Sequence, residues 1–241
     1  MTSRPAVLLA IVVAFRGVAL AGDAPQTQPQ TRPAGHDHTH DATVTHPFDD
    51  VERWTQVFDD PNRDTWQKPD QIPGVLGLKP GMAVADIGAG TGYFSRYFSD
   101  AVGPSGKVYA VDIEPKLVSY MRERAIREKT ANVTVVLAAP DDPRLPVAAL
   151  DVIFICDTWH HINDRIAYLG RLAKALKPDG VVAIVDYQKK ETPVGPPVEH
   201  RLSGEEVINE FAEAGWALKT ESNILPYQYL LLFRLTPPAA R

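Results

Sequence analysis

Short apolar runs and amphipathic stretches alternate along most of the chain, and this rhythm predicts strands and helices in turn. The runs at 82–87, 108–111, 133–137, 152–156 and 181–185 are rich in β-branched residues and bounded by Gly, Pro or Asp. Runs apolar on both faces read as buried parallel strands. Helical periodicity at 93–101, 115–129 and 165–176 fills the intervals, giving repeated βαβ units with helices on both faces of one sheet. The expectation is an α/β fold, a Rossmann-like doubly wound sheet.

The chain's end departs from a symmetric dinucleotide fold. A helix is predicted over 203–214, with Ser203 as N-cap, Glu206 completing a capping box and Gly215 as the stop. Runs at 216–221 and 229–235 then follow with only a short stretch around Asn223 and Pro226 between them. That is too short for a helical crossover, so these runs are expected to pair antiparallel and bring the sheet to seven strands.

Ahead of the first strand lie an amphipathic stretch at 49–58, a turn at Asp59-Asp60-Pro61-Asn62, and a segment carrying Trp66, Gln67 and Lys68. Residues 22–47 are Pro, Gln, Thr, Asp and His with few large apolar side chains, the composition of a disordered linker. Within them His36, His38 and His40 alternate with Asp37 and Thr39. A solvated tail is the favoured reading, because holding Zn or Cu would first require ordering the segment. Residues 1–21 read as an export signal: Arg4, an apolar run from Pro5 to Phe15, then the small-x-small site Ala19-Leu20-Ala21. Arg16 is atypical there. The apolar run falls short of the about 20 residues of a membrane span, so a periplasmic or secreted domain over 48–241 is expected, or a cytoplasmic one if the signal does not work.

The 241 residues suffice for one α/β core, and a net charge of -5 argues against a nucleic-acid partner. Cys156, the single cysteine, excludes an internal disulfide or a thiolate metal cluster within one chain, and no metal is assigned.

The strongest chemical signal is Ala85-Asp86-Ile87-Gly88-Ala89-Gly90-Thr91-Gly92, at the end of a strand and the opening of a helix. Glycines without Cβ atoms let the backbone turn sharply and approach a ligand, with N–H groups expected to stay exposed at the helix start. Asp112 ends the next strand, where a carboxylate can accept hydrogen bonds from both hydroxyls of a ribose. The alternative for Asp112 is a cap on the helix that opens at Pro115.

Asp86 to Gly92, Asp112, the loop from Asp141 to Pro146 and Leu176-Lys177-Pro178-Asp179-Gly180 resemble the successive motifs of class I S-adenosylmethionine-dependent methyltransferases, over roughly residues 70 to 187. The resemblance implies S-adenosylmethionine as cofactor, with Asp86, Gly88, Ala89, Gly90 and Gly92 around its methionyl end. It also implies that Asp112 and Ile113 lie at the ribose, that Asp141 or Asp142 faces the adenine amino group, and that Asp157 lies beside the cofactor. Asp141 and Asp142 equally suit a plain turn before Pro143. Asp179 stands where relatives often have Gly, at a position expected to be a turn tolerant of left-handed geometry.

NAD is the competing cofactor, but its G-x-G-x-x-G loop is not matched, since Gly92 arrives early and Tyr93 stands in the third glycine's place. On the acceptor side, the fourth strand ends at Asp157-Thr158-Trp159-His160-His161. Asp157, His160, His161 and His200 are the candidates for taking a proton from a small-molecule acceptor, although methyl transfer itself needs mainly alignment. As neighbours, His160 and His161 are expected to face different ways. Three segments are candidate covers for the pocket: residues 66–68, the Pro-rich connection 192–201, and Tyr227-Gln228-Tyr229. Export also motivates a second hypothesis, a binding or sensing module that keeps the cofactor pocket without transfer.

The export reading has a direct check. N-terminal sequencing of protein recovered from a periplasmic fraction is expected to begin at Gly22, and a chain that retains Met1 there contradicts cleavage.

Overall fold

The structure, a computed structural model, describes residues 50–236; the signal-like segment 1–21 and the tract 22–47 with His36, His38 and His40 lie outside the described residues. Because alternate side chains on each apolar run need cover on opposite faces, the runs become strands of one sheet. They are β1 (Ala83–Ile87), β2 (Lys107–Asp112), β3 (Val133–Leu137), β4 (Leu150–Cys156) and β5 (Leu176–Tyr187). Two further strands, β6 (Trp216–Ser222) and β7 (Gln228–Leu235), complete one sheet in the order β3-β2-β1-β4-β5-β7-β6. The first five strands pair in parallel, while β7 runs antiparallel to both β5 and β6. The strand order reverses between β1 and β4, which opens a crevice at their carboxyl ends.

On one face α6 (Arg165–Ala175) and α7 (Gly204–Glu213) pack Leu169, Leu172 and Phe211 onto Ile153, Ile155 and Ile184. On the other, α4 (Tyr93–Val102) lays Phe94 and Phe98 on Val152 and Phe154, and α5 (Pro115–Glu128) sets Val118 and Met121 on Ala110. Ser203 and Glu206 form the expected capping box of α7, and Asp164 caps α6 through Ala167. Three short helices precede the sheet: α1 (Val51–Phe58), α2 (Arg63–Gln67) and α3 (Ile72–Leu76). The last was not anticipated; it buries only Ile72 and Leu76, too few positions to show a period.

Residues 176–180 correct the expected turn. Leu176 pairs with Leu150 and an irregularity in register follows, so β5 extends through Asp179, which does not take the left-handed conformation. Gly180 permits this, since a Cβ there would meet Leu176 Cδ2 at 2.8 Å and the Leu150 carbonyl at 3.0 Å. Among the described residues, no helix is long and apolar enough to cross a membrane.

Phe154 sits edge-on to Phe94 and Phe98, with ring centroids 4.9 and 5.0 Å away. Phe154→Ala is expected to destabilise the fold by about 3–5 kcal/mol, read as a lowered urea midpoint; a change under about 1 kcal/mol would mean that this layer repacks.

Candidate functional site

The glycine bend leaves β1 through three left-handed glycines, Gly88, Gly90 and Gly92, with φ of 71°, 59° and 81°. Side chains are barred at two of them. A Cβ on Gly88 would fall 2.2 Å from Thr158 Oγ1, and one on Gly90 would fall 3.1 Å from the Phe58 ring. The bend's amides do not stay free for an anion, as the sequence led one to expect. Gly88 and Ala89 donate to the Val111 carbonyl, Gly92 to the Ala89 carbonyl, and Gly90 to Asp112 Oδ2 at 2.8 Å. The amides of Gly88, Ala89 and Gly90 are turned back toward β2, so the bend is stitched to the next strand and is no phosphate cradle.

Asp112 is therefore bound to the bend. Its second oxygen accepts from the Glu114 amide at 2.9 Å, and the cap of α5 is Glu114 rather than Asp112. Burial raises the Asp112 pKa, and the hydrogen bonds from Glu114, Gly90 and Ile113 oppose that rise. Beside it the Ile113 side chain is 56% exposed, an apolar surface at the edge of the crevice.

Carboxylates gather along the same sheet edge. Asp86 is buried and accepts from Ser95 Oγ at 2.7 Å; desolvation raises its pKa to about 7, with the Asp112 charge adding to the rise and Arg63 opposing it. Asp157, left-handed at φ 51°, accepts from Gln67 Nε2 at 3.1 Å and from Gln228 Nε2 at 2.6 Å. Its pKa is raised by desolvation and by the charge of Asp186. Asp186, fully buried at the end of β5, lies 2.7 Å from His160 Nδ1. Burial alone would lower the His160 pKa, but Asp186 and Asp157 outweigh it and the net shift is upward.

The stretch before the sheet covers this edge. Asp59 accepts from Thr91 Oγ1 at 3.0 Å and from Arg124 Nη1 at 2.7 Å, while Asp64 accepts from Tyr93 Oη at 2.5 Å. Arg63 donates to Gln67 Oε1 and to the Phe58 carbonyl, lies over the Tyr93 ring, and brings its Nη2 within 3.9 Å of Asp157. Trp66 meets Tyr187 and Tyr227 at centroid distances of 5.9 and 6.1 Å. Of the three candidate covers, residues 66–68 and Tyr227-Gln228-Tyr229 thus reach the site. The connection 192–201 lies against the far side of this cluster, with Arg201 over the Tyr187 ring at 5.2 Å, and is drawn in by that buried arginine, which donates to the carbonyls of Pro196, Gln188 and Lys190.

The candidate proton acceptors separate. Asp157 and His160 share one charge cluster with Asp186; His161 is exposed, yet its ring packs against His160 at 4.1 Å between centroids. That corrects the expectation that the two rings part, because the short 3-10 turn Trp159–His161 keeps them adjacent. His200 instead ends the 3-10 turn Val198–His200 of the Pro-rich connection, its amide donating to the Pro197 carbonyl. Asp141 and Asp142 stand near Arg171, with contacts of 3.1 and 4.0 Å. Among the described residues, no three His, Cys, Asp or Glu side chains form a metal-holding group. Arg63 and Asp186 escaped the sequence reading. Asp186 alone left a signal, being an acid that directly ends an apolar strand, as Asp112 and Asp157 do.

A doubly wound sheet closed by an antiparallel β7, with a glycine bend bound to the acid of β2, defines the class of nucleoside-binding α/β transferases. A methyltransferase-domain profile matches residues 78–227, and the chain belongs to that family of S-adenosylmethionine-dependent enzymes. Its similarity to an S-adenosylmethionine-dependent methyltransferase structure from Aquifex aeolicus is 31% identity and a TM-score of 0.73, over 78% of this chain and 99% of that one. It is also 30% identical, over 119 residues, to the ubiquinone/menaquinone biosynthesis C-methyltransferase UbiE of Ectopseudomonas mendocina. That match covers 49% of this chain and 46% of the relative, so the chain spans about half the length of the curated relatives it matches. The structure of the [4+2]-cyclase SpnF shares the fold alone, at 12% identity and a TM-score of 0.58, over 69% of this chain and 80% of that one.

Burial of Asp86 sets a pH dependence. The unfolded carboxyl ionises near 3.8 and the folded one near 7, so folding favours its protonated form. Its contribution to stability is present below about pH 4 and is lost as pH rises toward 7. Asp86→Asn is expected to flatten the fall in Tm between pH 5 and pH 8, followed by thermal unfolding; an unchanged slope would show that Asp86 ionises freely.

Proposed function

We propose that this chain transfers a methyl group from S-adenosylmethionine to a small-molecule acceptor, with the cofactor lying along the carboxyl edge of β1, β2 and β4. The observation that carries this reading is the 2.8 Å bond from the Gly90 amide to Asp112, which puts the acid beside the bend. The residues present fit the group. The bend excludes Cβ atoms, an apolar Ile113 surface adjoins the acid, and the buried Gln228 Oε1 has no hydrogen-bond partner and would accept an N–H.

In this reading Asp112 holds the ribose hydroxyls, Ile113 flanks the adenine, and Asp141 or Asp142 accepts from its amino group. Gly88, Ala89, Gly90 and Gly92 border the methionyl portion. Asp86 and Asp157 face its ammonium and sulfonium charges, and Arg63 supplies a counter-charge for its carboxylate. When bound, the cofactor supplies an electrophilic methyl on a positively charged sulfur. The protein's part is to align an acceptor with that methyl, exclude water with the stretch from Phe58 to Trp66, and remove a proton where the acceptor carries one. The relatives named for carbon methylation in ubiquinone and menaquinone biosynthesis support a small organic acceptor. Export from the cytosol, suggested by residues 1–21, is part of the proposal.

Titration calorimetry with S-adenosylmethionine tests it. Wild type is expected to bind, and Asp112→Ala to bind roughly 10- to 100-fold more weakly, as loss of charge-assisted hydrogen bonds of about 1.5–3 kcal/mol requires. Binding is expected to tighten as pH rises through 7 and Asp86 ionises toward a cationic ligand. Equal affinity in Asp112→Ala would overturn the placement. Binding without turnover across a broad acceptor panel would favour a sensing module.

A further inference from the structure

The reading above leaves one built feature unused, the buried pair of Asp186 and His160. Asp186 ends β5 without solvent contact, and one of its oxygens lies 2.7 Å from His160 Nδ1. The other oxygen accepts from the Tyr187 amide at 2.8 Å, so the carboxylate is held at both oxygens. The short 3-10 turn that carries His160 is anchored from behind: Trp159, fully buried, donates its indole N–H to Glu210 of α7 at 3.0 Å, and Arg165 is bound to the same Glu210. With Nδ1 engaged by a carboxylate, the neutral imidazole carries its proton there and keeps Nε2 as an acceptor. No described residue is hydrogen-bonded to Nε2.

We propose that His160, oriented by Asp186, takes the proton from an aromatic hydroxyl of the methyl acceptor, and that the methyl goes onto that oxygen; this rests on the methyl-transfer reading above. Three observations select this chemistry. First, Asp86, Asp112, Asp157 and Asp186 line the edge with Arg63 as the guanidinium among them, a field that repels an acceptor arriving as an anion. The acceptor must enter neutral and lose its proton in place. Second, a neutral thioether or tertiary amine has no proton to give, and a thiol with a pKa of about 8.5 needs little help, whereas a phenolic hydroxyl near about 10 matches a positioned imidazole. Third, half-buried Trp66 and Tyr227 meet over buried Tyr187, beside the Asp157–Gln228 pair, and the partly exposed faces of the first two rings suit stacking of an aromatic acceptor.

The step balances. The acceptor oxygen forms its bond to the methyl carbon as the bond from that carbon to sulfur breaks with its electron pair left on sulfur. The hydroxyl proton passes to His160 Nε2 and then to solvent. Asp186 is a positioning residue, acting through His160. The charged groups that bear on His160 are Asp186 of β5, Asp157 at the end of β4 and Arg165 of α6, with the His161 ring alongside.

The test uses the whole protein, labelled S-adenosylmethionine, and six probes: phenol, catechol, hydroquinone, aniline, thiophenol and thioanisole. The expected result is an O-methyl product from at least one hydroxyl probe, with kcat rising to a plateau as His160 loses its proton. His160→Gln is expected to lower kcat roughly 100-fold or more with cofactor affinity changed less than about threefold. Asp186→Asn is expected to lower kcat roughly tenfold and to move the inflection of the pH profile downward. Independently of turnover, nitrogen NMR of the wild-type imidazoles should show His160 with its proton on Nδ1 and a titration above that of an ordinary histidine, lowered in Asp186→Asn. Transfer only to the amine or sulfur probes, methyl on a ring carbon, no transfer to a hydroxyl probe, or a His160→Gln rate equal to wild type each overturns the proposal. Failure of wild type to bind the cofactor by calorimetry defeats the underlying reading instead, so the two failures are told apart.

Discussion

The hydrogen bond from the Gly90 amide to Asp112 is the constraint on which the site depends. A bend of left-handed glycines has little reason to hold one shape, because its backbone gives up more conformational freedom on ordering than any other. Here the freedom is removed by β2: the Val111 carbonyl takes two amides of the bend and Asp112 takes a third. One acid thereby does two things. It fixes the backbone of the bend, and it is itself fixed there by the Gly90 and Glu114 amides. An apolar side chain at 112 would lose both, leaving a buried amide unsatisfied as well as removing the acceptor.

From that point the rest of the edge follows by topology. Parallel strands all end at the same side of the sheet, so an acid closing β2, β4 or β5 must arrive in one neighbourhood whatever its distance along the chain. Asp112, Asp157 and Asp186 do so, and Asp86 joins them from within β1. The N-terminal stretch then closes over them through polar pins. Asp59 on Thr91 and Arg124, Asp64 on Tyr93, and Gln67 on Asp157 bind residues of the bend, of α4 and α5, and of the end of β4. Contacts of this kind can be exchanged with water at modest net free energy, about 1 kcal/mol each, which suits a cover that must admit ligands.

Much of this was legible in the residues. The strands were visible because burial on both faces leaves a continuous apolar run, and the closing hairpin because so short a connection cannot carry a crossover. Gly88, Gly90 and Asp112 were visible because special backbone geometry and an acid at a strand end have few other uses. What stayed hidden shares a cause. Arg63 against Asp157, His160 against Asp186, and Arg124 against Asp59 are pairings between segments 26 to 94 residues apart, and periodicity reports only on neighbours in sequence. The histidine rings were misjudged for a local reason: strand alternation was assumed where the chain had already entered a 3-10 turn. The pinning of Asp141 and Asp142 near Arg171 was likewise a matter of which face of α6 comes to rest beside the loop.

Burying carboxylates is unfavourable, and the pKa values of Asp86 and Asp157 are raised first by desolvation and then by the neighbouring acids. A fold built only for stability would replace them with apolar or amide side chains of similar size. Retaining them is consistent with a ligand that brings positive charge to the crevice, as a sulfonium with an ammonium does, and whose arrival returns these acids toward their ordinary ionisation. Once the methyl has left, the sulfur is neutral and part of that attraction is gone. On the placement proposed above, the same field that draws the charged cofactor in would hold its spent form less tightly, so the acidity of the edge would favour both binding and release.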